Sequence, residues 1–140
     1  MTMGQPRQLQ DFYIYSTTVT ALAAGATATN TINIQADAAF RWEKSTFFAD
    51  IAAAAVVHGT RIIPLCTVLV TDTGSGRQLM DSAIPIPNIF GSGEIPFILQ
   101  QPKIFSPRST LSLIFTNYDA AVTYNIRLSL IGSKLFQMAG

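Results

Sequence analysis

The chain has 140 residues, a formal net charge of +1, only 12% charged residues and a mean hydropathy of +0.33. That length makes one domain with a real core, and so small a net charge excludes DNA wrapping or attraction to an anionic membrane. A soluble domain ordinarily carries roughly twice this charge fraction, so much of the surface is uncharged polar or apolar, and extensive apolar surface marks contact with a partner.

In chain order, residues 1–10 read as an N-terminal arm with no basic-then-apolar signal layout. The uncharged stretch from Phe12 to Ala36 is interrupted by Thr, Ser, Asn and Gly. It lacks the roughly 18 sustained apolar residues that a membrane span needs. Strands are predicted at 12–19, 29–35 and 40–48. Asp50 could cap a two-turn helix over 51–58, stopped by Gly59. Leu65–Thr71 reads as a strand buried on both faces, ended by the turn Asp72-Thr73-Gly74-Ser75-Gly76.

Further strands are predicted at 77–80 and 95–99. Between them, Ile84-Pro85-Ile86-Pro87-Asn88 must be irregular or at an edge, because each proline removes a ladder donor. The alternation of Leu111, Leu113 and Phe115, then of Val122, Tyr124, Ile126, Leu128 and Leu130, predicts two half-buried strands. Asn117-Tyr118-Asp119 would join them as an antiparallel hairpin. The expected fold is therefore all-β, an antiparallel jelly-roll-like sandwich of about eight strands. It would occupy 11–133, with the arm before it and a tail at 134–140.

Residues suited to chemistry are sparse. His58 is the single histidine and Cys66 the single cysteine, so neither a zinc site nor an internal disulfide is expected. No nucleophile elbow or phosphate-binding glycine loop occurs. The carboxylates Asp11, Asp37, Glu43, Asp50, Asp72, Asp81, Glu94 and Asp119 are thinly spread. These absences predict no cofactor and no enzymatic activity.

Two segments invite a sharper reading. Asp72-Thr73-Gly74, with the late Leu130-Ile131-Gly132, matches elements of dimeric aspartic proteases. However, all three turn residues suit an ordinary hairpin, and Thr71 stands where an apolar residue is usual. In Phe40-Arg41-Trp42-Glu43-Lys44-Ser45, alternation puts Phe40, Trp42 and Lys44 on one face and Arg41, Glu43 and Ser45 on the other. That face suits a core or protein interface, and less readily a carbohydrate platform on a fibre or adhesin head.

From Val70 onward the chain carries Thr71-Asp72-Thr73-Gly74-Ser75-Gly76-Arg77, Ile84-Pro85-Ile86-Pro87 and Phe90-Gly91. There follow Pro102-Lys103-Ile104-Phe105-Ser106-Pro107-Arg108-Ser109, Phe115-Thr116-Asn117, and Tyr124 through Phe136. In that order these resemble the head cement, or decoration, proteins of tailed double-stranded-DNA phages, those of podophages most closely. The resemblance covers about half the chain. It implies a homodimeric jelly roll, made in the host cytoplasm and bound outside an expanded icosahedral capsid. There it would bridge neighbouring copies of the major capsid protein, with no direct contact to nucleic acid or membrane. Arg7, Leu9 and Phe12 in the arm, Pro87, Asn88 and Phe90 in the proline-rich loop, and Phe105 with Arg108 are the expected contact residues.

Overall fold

The computed structural model describes residues 7–52 and 62–138. Nine strands run β1 (Arg7–Leu22), β2 (Thr27–Asn33), β3 (Ala39–Ile51), β4 (Cys66–Asp72), β5 (Arg77–Gln78), β6 (Ile84–Pro85), β7 (Phe97–Phe105), β8 (Thr110–Asn117) and β9 (Tyr124–Met138). One sheet has the order β1-β9-β3-β7 and the other β2-β8-β4-β5, with β6 also on β4. Every pairing between these strands is antiparallel. If β5 and β6 count as one interrupted strand along the same edge of β4, eight strands divide four and four between two sheets, in an order like that of a jelly roll.

Period-2 alternation explains the layering. In β8, Leu111, Leu113, Phe115 and Asn117 point inward while Thr110, Ser112, Ile114 and Thr116 point out. Ile126, Leu128 and Leu130 of β9 meet that row from the opposite sheet, together with Phe40 and Trp42 of β3, while Val68 and Val70 of β4 flank it within its own sheet. Each such side chain contributes about 1.5–3 kcal/mol by leaving water.

Several expectations change. The strands around Asn117 do not form a hairpin: β8 pairs with β2 and β4, and β9 with β1 and β3. Both bury one alternating face, and two such strands also satisfy each other by facing across a core. Asn117 holds this corner, its buried amide donating to the carbonyls of Leu22 (3.0 Å) and Val122 (2.8 Å). Strand β4 is buried on one face only, with Thr67, Leu69 and Thr71 half-buried on the other.

The strand expected at 95–99 lies at Phe97–Phe105. The helix expected over 51–58 begins instead as the last residue of β3 and a turn at Ala52, and its remainder lies outside the described residues. Where described, the arm and tail are strand: Arg7–Gln10 pair with Leu135–Met138. The ladder satisfies the backbone of segments whose side-chain pattern is too polar to announce a strand.

A bulge in β3 between Trp42 and Lys44 reverses the expected alternation. Phe40 and Trp42 point inward, Lys44 is exposed, and Ser45 rather than Lys44 continues the buried row. The buried Ser45 hydroxyl donates to the Ile89 carbonyl at 2.5 Å. Opposite the bulge stands Gly132, whose α-carbon is so close to the Arg41 carbonyl oxygen that a β-carbon has no room.

Candidate interaction surface

Across antiparallel strands, directly opposed residues share a face. On the outside of the β1-β9-β3-β7 sheet, one row runs Phe12–Ser133–Arg41–Ile104 and the next Ile14–Ile131–Lys44–Ile98. Phe12 is 72% exposed, Ile98 65%, Ile104 62% and Ile14 45%. Beyond the polar row Ser16–Ser129–Thr46, Phe48 stands exposed opposite Arg127 toward the end of β3.

There it meets an open groove of about 500 Å³, lined by Phe47, Phe48, Ile62, Ile63 and Pro87 among others. Cations on this face are partly engaged. Arg41 pairs with Glu43 at 3.2 Å and donates across β9 to Gln10 at 2.7 Å.

The sequence-predicted contact residues divide into three groups. Phe12 lies on this face, whereas Leu9 (52% exposed) is on the other side of β1, in line with Asp11, Tyr13 and Tyr15. Arg7 opens β1 opposite Met138, its side chain being outside the described part. Pro87 and Asn88 are exposed in a single 3-10 turn, Ile86–Asn88, by the groove. Arg108 is exposed at the opposite end of the sandwich, in the left-handed region at φ 68°, its N–H donating to the Ile34 carbonyl at 3.0 Å.

Phe90 and Phe105 are corrections. Both are buried, with ring centroids 6.3 Å from Trp42 on roughly parallel planes. They build the core beneath the face and are not available to a partner. Trp42 is buried with them, and its indole N–H donates to the Lys44 carbonyl at 2.9 Å. The carbohydrate platform therefore loses its exposed ring.

Asp72 ends β4, and its Oδ1 accepts the Gly74 N–H at 3.0 Å while the Thr73 hydroxyl donates to the Thr110 carbonyl at 2.8 Å. This is hairpin chemistry, with Gly76 at φ +71° completing the turn. Gly132 of the Leu130-Ile131-Gly132 element serves the β3 bulge instead.

Cys66 is buried, and burial pushes its thiol up to about 12, so it is protonated and unreactive near neutrality. His58 lies outside the described residues. Among the described residues no group of three or more His, Cys, Asp and Glu could hold a metal. No helix among them is long and apolar enough to cross a membrane.

Lys134 closes one end of the sandwich. Its ammonium pairs with Asp37 at 3.1 Å, donates to Gln35, and lies 4.1 Å from the centre of the Tyr13 ring.

Ile14, Ile98 and Ile104 were missed as contact candidates. The available signal was in β1, where Phe12 and Ile14 alternate with Tyr13 and Tyr15. A strand apolar on both faces, in a sheet with one face to the core, offers its second face to something else.

No family model matches the chain, and no curated protein does. Among solved structures it is similar to a chain in the structure of infectious bursal disease virus, Gt strain, at 13% identity and a TM-score of 0.30. The likeness covers 96% of this chain and 38% of that one. A likeness this distant carries no inference about role.

Proposed function

We propose that the protein is a non-enzymatic structural component of a virion. It binds the outside of an expanded icosahedral phage capsid and cements neighbouring copies of the major capsid protein against the pressure of packaged DNA. The observation that carries this reading is the set of exposed apolar side chains on the outer face of the β1-β9-β3-β7 sheet, Phe12 and Ile14 on one edge strand and Ile98 and Ile104 on the other, with Ile131, Ser133, Arg41 and Lys44 between them. Exposed isoleucine and phenylalanine gathered on one face suit a partner rather than water. The sequence resemblance supplies the identity of that partner, and a homodimer presenting two such faces can span adjacent subunits.

Cementing is linkage. A protein that binds only the expanded lattice stabilises it by the binding free energy at each contact, repeated over every position. Co-sedimentation with expanded and unexpanded shells assembled from a phage major capsid protein tests the reading. The expected outcome is binding to expanded shells alone. Ile98→Asp combined with Ile104→Asp should weaken that binding about a hundredfold, since two buried apolar contacts become unpaired charges. Equal recovery with both shell forms, or with neither, overturns the proposal.

A further inference from the structure

We infer that the free edge of β1 is a homodimerisation surface, on which Arg7–Asp11 of one copy pairs antiparallel with the same stretch of a second copy about a two-fold axis at Leu9. This deepens the homodimer of the reading above by naming its surface, and rests on that reading for the dimer but not for the shell.

The four edges of the sandwich differ in how they are protected. β7 carries Pro102 and Lys103 and slips in register against β3. β5 and β6 are two residues each, and β6 contains Pro85. β2 is tied to β1 by Asn30, whose amide donates to Thr17 Oγ1 at 2.9 Å and to the Thr18 carbonyl at 2.6 Å. That tie also covers the second half of β1.

The first half, Arg7–Ile14, has none of these devices. It contains no proline and no lysine, and the irregularity in β1 falls only between Val19 and Leu22. Its second edge pairs with no described residue. Long, straight, unguarded edges are templates for another strand.

The ribbon geometry adds a second reason. β3 joins β9 only from Leu135, so Arg7–Leu9 and Phe136–Met138 pair with each other alone. A two-stranded ribbon is marginal in water, and a third strand stabilises it.

Charge selects the register and the occupant. Within the edge the charged residues are Arg7 and Asp11, equally spaced about Leu9. Self-pairing centred on Leu9 puts Arg7 of each copy opposite Asp11 of the other, and Leu9 opposite Leu9. Centring on residue 7 or 11 would oppose like charges, which is destabilising. The same patch serves both copies, as a closed two-fold interface requires.

The test uses the full chain. Leu9→Cys should give a covalent dimer with a short bifunctional thiol reagent, whereas Thr31→Cys on the exposed side of β2 should not; Cys66 is buried and contributes no background. In sedimentation equilibrium, Asp11→Arg alone should raise the dimer Kd about tenfold, because two symmetric pairs turn from attractive to repulsive. Adding Arg7→Asp should restore it. A monomer at all concentrations, or a dimer indifferent to both charge changes, overturns the inference. A dimer that ignores shells sinks the cement reading alone, and a monomer that binds expanded shells sinks this one alone.

Discussion

The two outer faces of the sandwich share one antiparallel hydrogen-bonding scheme, yet one is lined with hydroxyls while the other sets exposed isoleucine and phenylalanine on its edge strands around Ser133, Arg41 and Lys44. Outside the β2-β8-β4-β5 sheet stand Thr27, Thr29 and Thr31, then Ser112 and Thr116, then Thr67 and Thr71, with Ile114 and Leu69 half-buried between them. Outside the β1-β9-β3-β7 sheet stand Phe12, Ile14, Ile131, Ile98 and Ile104. Threonine keeps strand propensity and also meets water with its hydroxyl. The first face therefore stays hydrated without charge. The second face carries Arg41, Lys44 and Arg127 on its central strands and still exposes Phe12, Ile14, Ile98 and Ile104 on its edge strands, so it is this side that calls for cover.

The largest effect should come from the residue that sets which side chains reach the second face. Gly132→Ala places a methyl group against the Arg41 carbonyl at the β3 bulge, at a cost of about 3 kcal/mol in urea unfolding. If the variant were as stable as the parent, Gly132 would not be what permits Lys44 to point out and Ser45 to point in.

A smaller effect concerns the layer between the faces. Burial raises Cys66 from its ordinary 9.0 to about 12. Tyr124 rises from 10.0 to about 12, by burial first and then by its hydroxyl donating to Asp119 at 2.7 Å. Both groups are held neutral in the folded state, so their contribution is complete below pH 9. It fades as pH climbs from 9 toward 12, where the unfolded chain ionises first. Stability measured against pH should fall along that limb, and Cys66→Ala should flatten its lower part. A parent profile that is level from pH 9 to 11 would contradict this.

The smallest stability effects should distinguish the faces themselves. Ile98→Asp with Ile104→Asp is expected to shift unfolding free energy by only about 0.5 kcal/mol, as exposed substitutions do. The same pair should sharply reduce binding of a hydrophobic dye. Thr29→Asp with Thr31→Asp should leave dye binding where it was. Equal loss from both pairs would erase the contrast between the faces.

Much of this was legible from particular residues. Leu111, Leu113 and Phe115, and Ile126, Leu128 and Leu130, fall on the core face as their alternation requires. Asp72-Thr73-Gly74 is the turn that its residue types favour. Contact candidates fared less evenly, because Phe90, Phe105 and Trp42 are aromatic in the same way whether they line a core or a surface. Only the packing of the two sheets and the connecting loop over one another puts all three inside.

Local chemistry alone determined that this chain is a two-layer antiparallel structure, since period-2 apolar patterning has few other ways to leave water. Which sheet each strand joins was decided only in three dimensions. Strands β8 and β9, adjacent in the chain, could have paired side by side or faced each other, and both arrangements bury the same alternating residues. The corner held by Asn117 and the pairing of β9 between β1 and β3 choose the second. That choice sends Ile14, Ile98 and Ile104 to a common exterior, because backbone hydrogen bonds between distant segments set a register that side-chain pattern does not encode.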